Sequence, residues 1–345
     1  MTTTLDRPAI DDGAKVEELA GRLFMEGVGM AHLATAYLGV RLGLFSALAE
    51  RPGITAAELA TVADLDERYV REWLQAETIA GLVIADAEDL TAACFTLAPG
   101  VVETLVNETS PAYLGGMTLV LPAVGRIIPQ LLDAFRTGAG VPFTAYGPEA
   151  IAAQAALNRP SFVNELGTNW LPSIPDVHAR LQDSKSPAVV ADIGCGVGWA
   201  AIELAKAYPH VRVDGFDVDD ESIQAARRNA KQHGVDDRVS FQVVDAATAS
   251  YGDRKYDLVL FLECLHDIGR PVEALEAARA TAKDDGVVLV MDERTADTRP
   301  PAGDPMETFF ATISTLWCLP QSRVVPDCEA PGTVMRPSTL QGLVR

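Results

Sequence analysis

Between residues 16 and 49 apolar side chains recur every three or four positions, at Leu19, Leu23, Phe24, Val28, Leu33, Tyr37, Leu38, Leu42, Leu44, Phe45 and Leu48. This is the spacing of one helical face. Gly27 and Gly29 are the expected break in it, and Arg51-Pro52-Gly53 the stop. Thr55 followed by Glu58 reads as a capping box that opens a second helix. A turn at residues 64–66 leads to a third, with Val70, Trp73, Leu74 and Ile79 on one face and Gly81 at its end. Val83, Ile84 and residues 94–97 then alternate as a short hairpin. Three helices and a hairpin predict a winged-helix domain over residues 14–100, behind a polar leader, residues 1–13, expected to be disordered.

Residues 101–187 keep a helical apolar pattern but are punctuated by prolines, among them Pro122, Pro129, Pro142 and Pro160. Aromatic residues such as Phe143, Tyr146, Phe162 and Trp170 suit a helical connector that roofs a pocket, with helix-to-helix core the equal alternative for each residue taken alone. From residue 188 the pattern changes. Short apolar runs at 189–193, 211–218, 239–246, 256–265 and 286–293 alternate with amphipathic stretches at 200–208, 220–233 and 271–282. Such alternation gives a parallel sheet with helices on both faces, and right-handed crossovers leave the open doubly wound sheet as the solution. The fold class is therefore α/β, with residues 188–345 forming a Rossmann-like domain.

The first strand of that domain runs into glycines at 194, 196 and 198, and a helix resumes at Ile202, Leu204 and Ala205. Glycines at a strand-to-helix turn let the backbone approach a ligand, and the helix N-terminus behind them offers free N–H groups. A turn without a ligand is the bland alternative. A dinucleotide fingerprint would put a glycine or alanine where Trp199 stands, too bulky for close helix packing. The frame D-x-G-x-G-x-G from Asp192 to Gly198 fits instead, and it resembles motif I of the class I S-adenosylmethionine (SAM) dependent methyltransferases.

The resemblance implies SAM as cofactor and a sheet in order 3-2-1-4-5, with the family's final antiparallel hairpin absent. It implies that Asp192, Gly194, Cys195, Gly196 and Gly198 form the cofactor loop. Asp217 and Val218 would take the ribose side, Asp245 and Ala246 the adenine, and Glu263 the far wall. Residues 14–100 are similar to the dimerisation domain of small-molecule O-methyltransferases, which has a winged-helix shape and no DNA role. In those enzymes a Leu-His-Asp-Trp segment carries a general base. Here Leu265, His266 and Asp267 match it, with Ile268 in place of the Trp. His266 is thus the candidate base for a phenol or enol acceptor, and Asp292 and Glu293, at the end of the fifth strand, are candidates to orient it or the substrate. A carboxylate acceptor would need no base.

Charge and composition narrow the partners. The chain has 345 residues and a formal charge of −20, and the would-be recognition helix sets four acids against Arg68 and Arg71. Neither suits a nucleic-acid groove, which needs clustered cations. Five cysteines without a C-x-x-C pair fit a reducing compartment, so the expected location is cytoplasmic. No apolar run is expected to span a membrane, and no metal is expected because no His or carboxylate cluster has ligand spacing. The resulting expectation is a homodimeric enzyme that methylates a small molecule, at oxygen. A winged-helix regulator, or a SAM-binding protein without methyl transfer, stays open as the alternative.

Overall fold

The structure is a computed structural model and describes residues 12–247, 251, 254–300 and 302–343. Most of the leader, residues 1–11, lies outside the described residues. Residues up to Val106 form one compact unit, and those from Asn107 onward a second.

In the first unit, α1 (Asp12–Arg41) starts inside the expected leader and runs straight through Gly27 and Gly29. The break falls instead at Gly43, whose φ of 70° turns the chain into α2 (Leu44–Glu50). Isolated glycines cost a helix only about 1 kcal/mol each, whereas a left-handed residue ends it. β1 (Ile54–Thr55), α3 (Ala56–Ala63) and α4 (Glu67–Ile79) follow. The capping box forms as expected: Glu58 N donates to the Thr55 hydroxyl, and Thr55 N donates to the Glu58 carboxylate. Val70, Trp73 and Leu74 are buried, but Ile79 is 79% exposed and Glu77 is fully buried in its stead. Glu77 receives His32 of α1 at 3.2 Å, and Trp73 Nε1 donates to the Thr35 carbonyl. β2 (Val83–Ala85) and β3 (Cys94–Leu97) pair antiparallel, and β1 extends them to a three-stranded sheet in order β1-β3-β2.

The second unit opens on α5 (Gly115–Thr137), which tolerates Pro122 and Pro129 in its interior. α6 (Pro148–Ser161) passes into a π-helical turn, Phe162–Trp170, before α7 (Pro175–Gln182). By length and composition α1 and α5 are apolar enough to cross a membrane, which the sequence reading had not expected. α1, however, is tied by side-chain hydrogen bonds to α4 at His32 and Thr35, and α5 buries Leu119, Ala123, Ile127 and Leu131 along one face. α5 is thus an amphipathic protein helix, whereas α1 is exposed over most of residues 13–31.

The remaining elements alternate as the pattern predicts: β4 (Val189–Ile193), α8 (Trp199–Ala207), β5 (Arg212–Asp217), α9 (Asp220–Gln232), β6 (Val239–Val243), β7 (Tyr256–Leu262), α10 (Pro271–Thr281) and β8 (Ala282–Met291). All five strands are parallel, in the order β6-β5-β4-β7-β8, which is 3-2-1-4-5. β7 is buried at every position, as a strand covered on both faces should be. Its Asp257 is held by Lys283 at 2.9 Å and Arg180 at 2.8 Å. α11 (Pro305–Ile313), a π-turn at Ser314–Cys318, α12 (Leu319–Ser322) and α13 (Pro337–Leu343) complete the unit. Among the described residues no further strand joins β8.

Candidate active site

The carboxyl ends of β4, β5, β6 and β7 open on one cavity of about 500 Å³, where an open α/β sheet places its ligand. The glycine loop forms its floor. Gly194, Gly196 and Gly198 have φ of 67°, 51° and 83°, values that side chains rarely adopt. They differ in what else they do. A Cβ at Gly194 would sit 2.8 Å from the Cys264 Sγ, and one at Gly198 2.5 Å from the Phe241 ring, while one at Gly196 would meet nothing within 4 Å. Gly194 and Gly196 line the cavity, whereas Gly198 lies behind them and lets α8 close on β6.

Asp217 holds this loop in place. Its Oδ2 accepts from Gly196 N at 2.8 Å and its Oδ1 from Asp219 N at 2.9 Å. Asp219 caps α9, accepting from Ser222 N. Asp192, on β4, is 1% exposed, and its Oδ2 has no hydrogen-bond partner. Burial, with the Asp217 charge beside it, pushes its carboxyl up to about 7. Burial raises Asp217 as well, against the backbone bonds that lower it. Asp245 Oδ1 accepts from Ala247 N just past β6. Asp192, Gly194, Cys195, Gly196, Asp217, Val218, Asp245, Ala246 and Glu263 all line the cavity.

Glu263 ends β7 with a φ of 57°, a strained value for a residue with a side chain. Burial and the neighbouring Glu293 raise its carboxyl, and burial raises Glu293 in turn.

His266 stands elsewhere than the sequence suggests. It is 5% exposed and does not line the cavity; its neighbour Asp267 does. Nδ1 lies 2.6 Å from Asp292 Oδ1 and Nε2 3.6 Å from Asp267 Oδ1. Burial alone would lower the imidazole, but the Asp267 charge and the hydrogen bonds to Asp292 and Cys318 overcome it and hold the ring well above its ordinary value. The ring is therefore held between two carboxylates behind the wall. Glu293 is likewise not a wall residue.

The other half of the cavity comes from segments whose sequence carries no motif. Phe143, Ile151, Gln154, Asn158 and Phe162 descend from the helical connector, and Gln321 and Val324 from the C-terminal segment. Of the aromatics for which roof and core stay open, Tyr146 is core: its hydroxyl donates to the Leu316 carbonyl. Asp192, Asp217, Asp219, Asp245, Glu263 and Asp267 give the lining a strongly acidic character, and Arg270 is its one cationic side chain among the described residues.

Residues 184–319 match the family model of a methyltransferase domain, and residues 31–100 that of an Rv2258c-like winged HTH domain. The chain is 39% identical over 85 residues to norajmaline N-methyltransferase of Rauvolfia serpentina, covering 25% of this chain and 29% of that one. It is 41% identical over 75 residues to the 27-O-demethylrifamycin SV methyltransferase of Amycolatopsis mediterranei, covering 22% and 27%. The chain thus spans less than a third of the length of either relative. Its fold is similar to that of the mitomycin 7-O-methyltransferase MmcR, with a TM-score of 0.66 at 21% identity over 96% of this chain and 91% of the other. Human N-acetylserotonin methyltransferase, solved in complex with SAM, gives 0.64 at 20% identity over 98% and 92%. Residues 184–319 therefore carry a methyltransferase domain, in the fold seen in O-methyltransferases of known structure, and residues 31–100 an Rv2258c-like winged HTH domain.

Proposed function

We propose that the protein transfers a methyl group from SAM to an oxygen of a small, anionic acceptor. One observation carries this reading: a left-handed glycine loop and the acids Asp192, Asp217 and Asp245 from three successive strands converge on a single cavity. The residues fit the cofactor's chemistry. Asp217 is already ordered by two backbone N–H groups and keeps acceptor capacity for a pair of ribose hydroxyls. Asp192 has a buried oxygen in need of a donor, which an ammonium group would supply. The acidic lining as a whole favours a cation.

When bound, SAM supplies a methyl carbon whose bond to sulfur breaks as the bond to the acceptor oxygen forms, both electrons of the new bond coming from that oxygen. The chain's part is to align the two and exclude water. Phe143, Ile151 and Phe162 shape an apolar seat, with Gln154, Asn158 and Gln321 available to orient polar groups. Arg270 supplies the countercharge for a carboxylate or enolate. Such an acceptor needs no base, which agrees with a His266 fixed between Asp267 and Asp292.

The test is purified protein with methyl-labelled SAM and a panel of carboxylic acids, enols and phenols, using wild type and His266→Ala. Turnover of carboxylates or enols that survives His266→Ala within about threefold is expected. A loss of about 100-fold, the usual scale of general-base catalysis, confined to phenols would restore His266 as the base. No transfer to any oxygen acceptor while SAM binds would overturn the enzymatic reading in favour of a SAM-binding regulator.

We further place the protein in the cytoplasm as a homodimer. The support is five unpaired cysteines and an α1 that exposes Val16, Leu19, Leu23, Phe24 and Val28 at 44–70%. An apolar stripe of this kind fits a second copy of the same helix.

A further inference from the structure

We propose that His266, Asp267 and Cys318 form a binding site for a divalent first-row transition ion, with zinc the best match. The inference stands apart from methyl transfer and concerns a site that sequence spacing does not reveal, since Cys318 lies fifty residues beyond the other two. One ligand atom from each of the three residues lies within 4.8 Å of the others, so a modest closure would bring all three onto one ion. An imidazole, a carboxylate and a thiolate form a donor set that suits zinc or cobalt and not magnesium or calcium.

Two features beyond the ligands distinguish this group from a chance cluster. A metal-bound histidine almost always gives its other ring N–H to a carboxylate, a backbone carbonyl or water, and Nδ1 of His266 is 2.6 Å from Asp292 Oδ1. That contact leaves Nε2 as the atom facing Asp267. The Thr333 hydroxyl, itself buried, donates to the Cys318 Sγ at 2.7 Å, a bond that strengthens when sulfur becomes a thiolate. A third observation points to a ligand: Asp267 Oδ1 is buried and makes no hydrogen bond, its nearest cationic atom being His266 Nε2 at 3.6 Å, so its desolvation is only partly compensated. Loading balances in charge, because one divalent ion enters as Nε2 and Sγ each release a proton. Asp267 also lines the cavity, so the ion would be reached from there, and three protein ligands leave a coordination position for water or a small oxygen donor.

The test uses the full-length protein, stripped with a chelator and titrated with cobalt(II) as a spectroscopic stand-in for zinc. One equivalent of cobalt should develop a thiolate-to-metal charge-transfer band, and one equivalent of zinc should abolish it. Cys318→Ser should lose the band and bind zinc at least tenfold more weakly, while Cys328→Ser keeps both. SAM affinity, measured by calorimetry on the same samples, reports separately on the cofactor site. X-ray absorption of the zinc-loaded wild type, showing one sulfur among nitrogen and oxygen ligands, is the check if Cys318→Ser does not fold. No saturable uptake by the wild type, or a band that persists in folded Cys318→Ser, would overturn the proposal.

Discussion

Asp217→Asn isolates the contribution of one carboxylate to the cofactor site. The substitution changes neither size nor shape, yet an amide cannot do what the carboxylate does here. Its oxygen can accept from either Gly196 N, at 2.8 Å, or Asp219 N, at 2.9 Å. Its NH₂ must then face the other N–H, donor against donor. Hydrogen bonds to a charged group contribute about 1.5–3 kcal/mol each, so the glycine loop loses roughly that amount of order before any ligand arrives. The ribose side loses the charge on one pair, worth at least about 1.4 kcal/mol, or tenfold in affinity. Part of the loop cost falls on the unliganded protein and does not appear in binding. The expected outcome is a 10- to 100-fold weaker Kd for the demethylated cofactor by calorimetry, with the thermal midpoint lowered by a few degrees. An affinity within threefold of wild type, in a protein that still melts cooperatively, would refute the assignment of Asp217.

The glycines should separate by mechanism. Gly198→Ala adds a left-handed strain of about 1–2 kcal/mol to a Cβ 2.5 Å from Phe241, and should lower the midpoint more than Gly196→Ala, which carries the strain alone; equal shifts in thermal denaturation would contradict this. Asp192 predicts a pH dependence. Because burial raises its carboxyl to about 7 from an ordinary 3.8, the folded protein holds a proton that the unfolded chain releases. Its contribution to the stability of the unliganded protein is therefore full below the ordinary value and is lost as pH rises through 7. A cationic ligand reverses the preference, so SAM affinity should rise by up to about tenfold per pH unit toward 7 and level off above it. Calorimetry in buffers of different ionisation enthalpy should show proton release that is absent in Asp192→Asn; a flat profile would remove Asp192 from the site. Replacing Leu23 and Phe24 of α1 with Glu should convert a dimer to a monomer in light scattering, and an unchanged mass would count against α1 as the contact.

The sheet was legible because its evidence is local. Apolar runs bounded by glycine or acidic residues define each of the five strands, crossover handedness leaves the open doubly wound sheet, and the order comes from the resemblance of the glycine loop to motif I. The glycine loop was legible for the same reason, as three left-handed positions within five residues. What pattern could not supply is whatever depends on distant segments meeting. Ile79 has the spacing of a core residue, yet Glu77 takes the interior because His32, on another helix, reaches it. Gly27 and Gly29 look like a break, but nothing packs against them to demand one. His266 sits in a recognisable tripeptide, and Asp292, just past β8, is a partner that its place at the strand end already suggests, but Cys318 comes from a C-terminal turn. Nothing in the local sequence announces that second neighbour. The acceptor side of the cavity follows the same rule: Phe143, Asn158 and Gln321 have no motif in common.

The strand order also dictates when the sheet can be finished as the chain leaves the ribosome. β4 pairs on one side with β5, which follows closely, but its other neighbour is β7, and Val190 must wait for Leu258, sixty-eight residues later. Until then a half-sheet of β6, β5 and β4 would present an apolar strand edge with unpaired backbone groups, the feature that recruits foreign strands. Pairings of this separation form slowly and leave such edges exposed to aggregation. Fragments that stop between residues 243 and 256 should accordingly be insoluble even though they contain the complete glycine loop, and constraints on translation speed should matter most over the stretch that delivers β7.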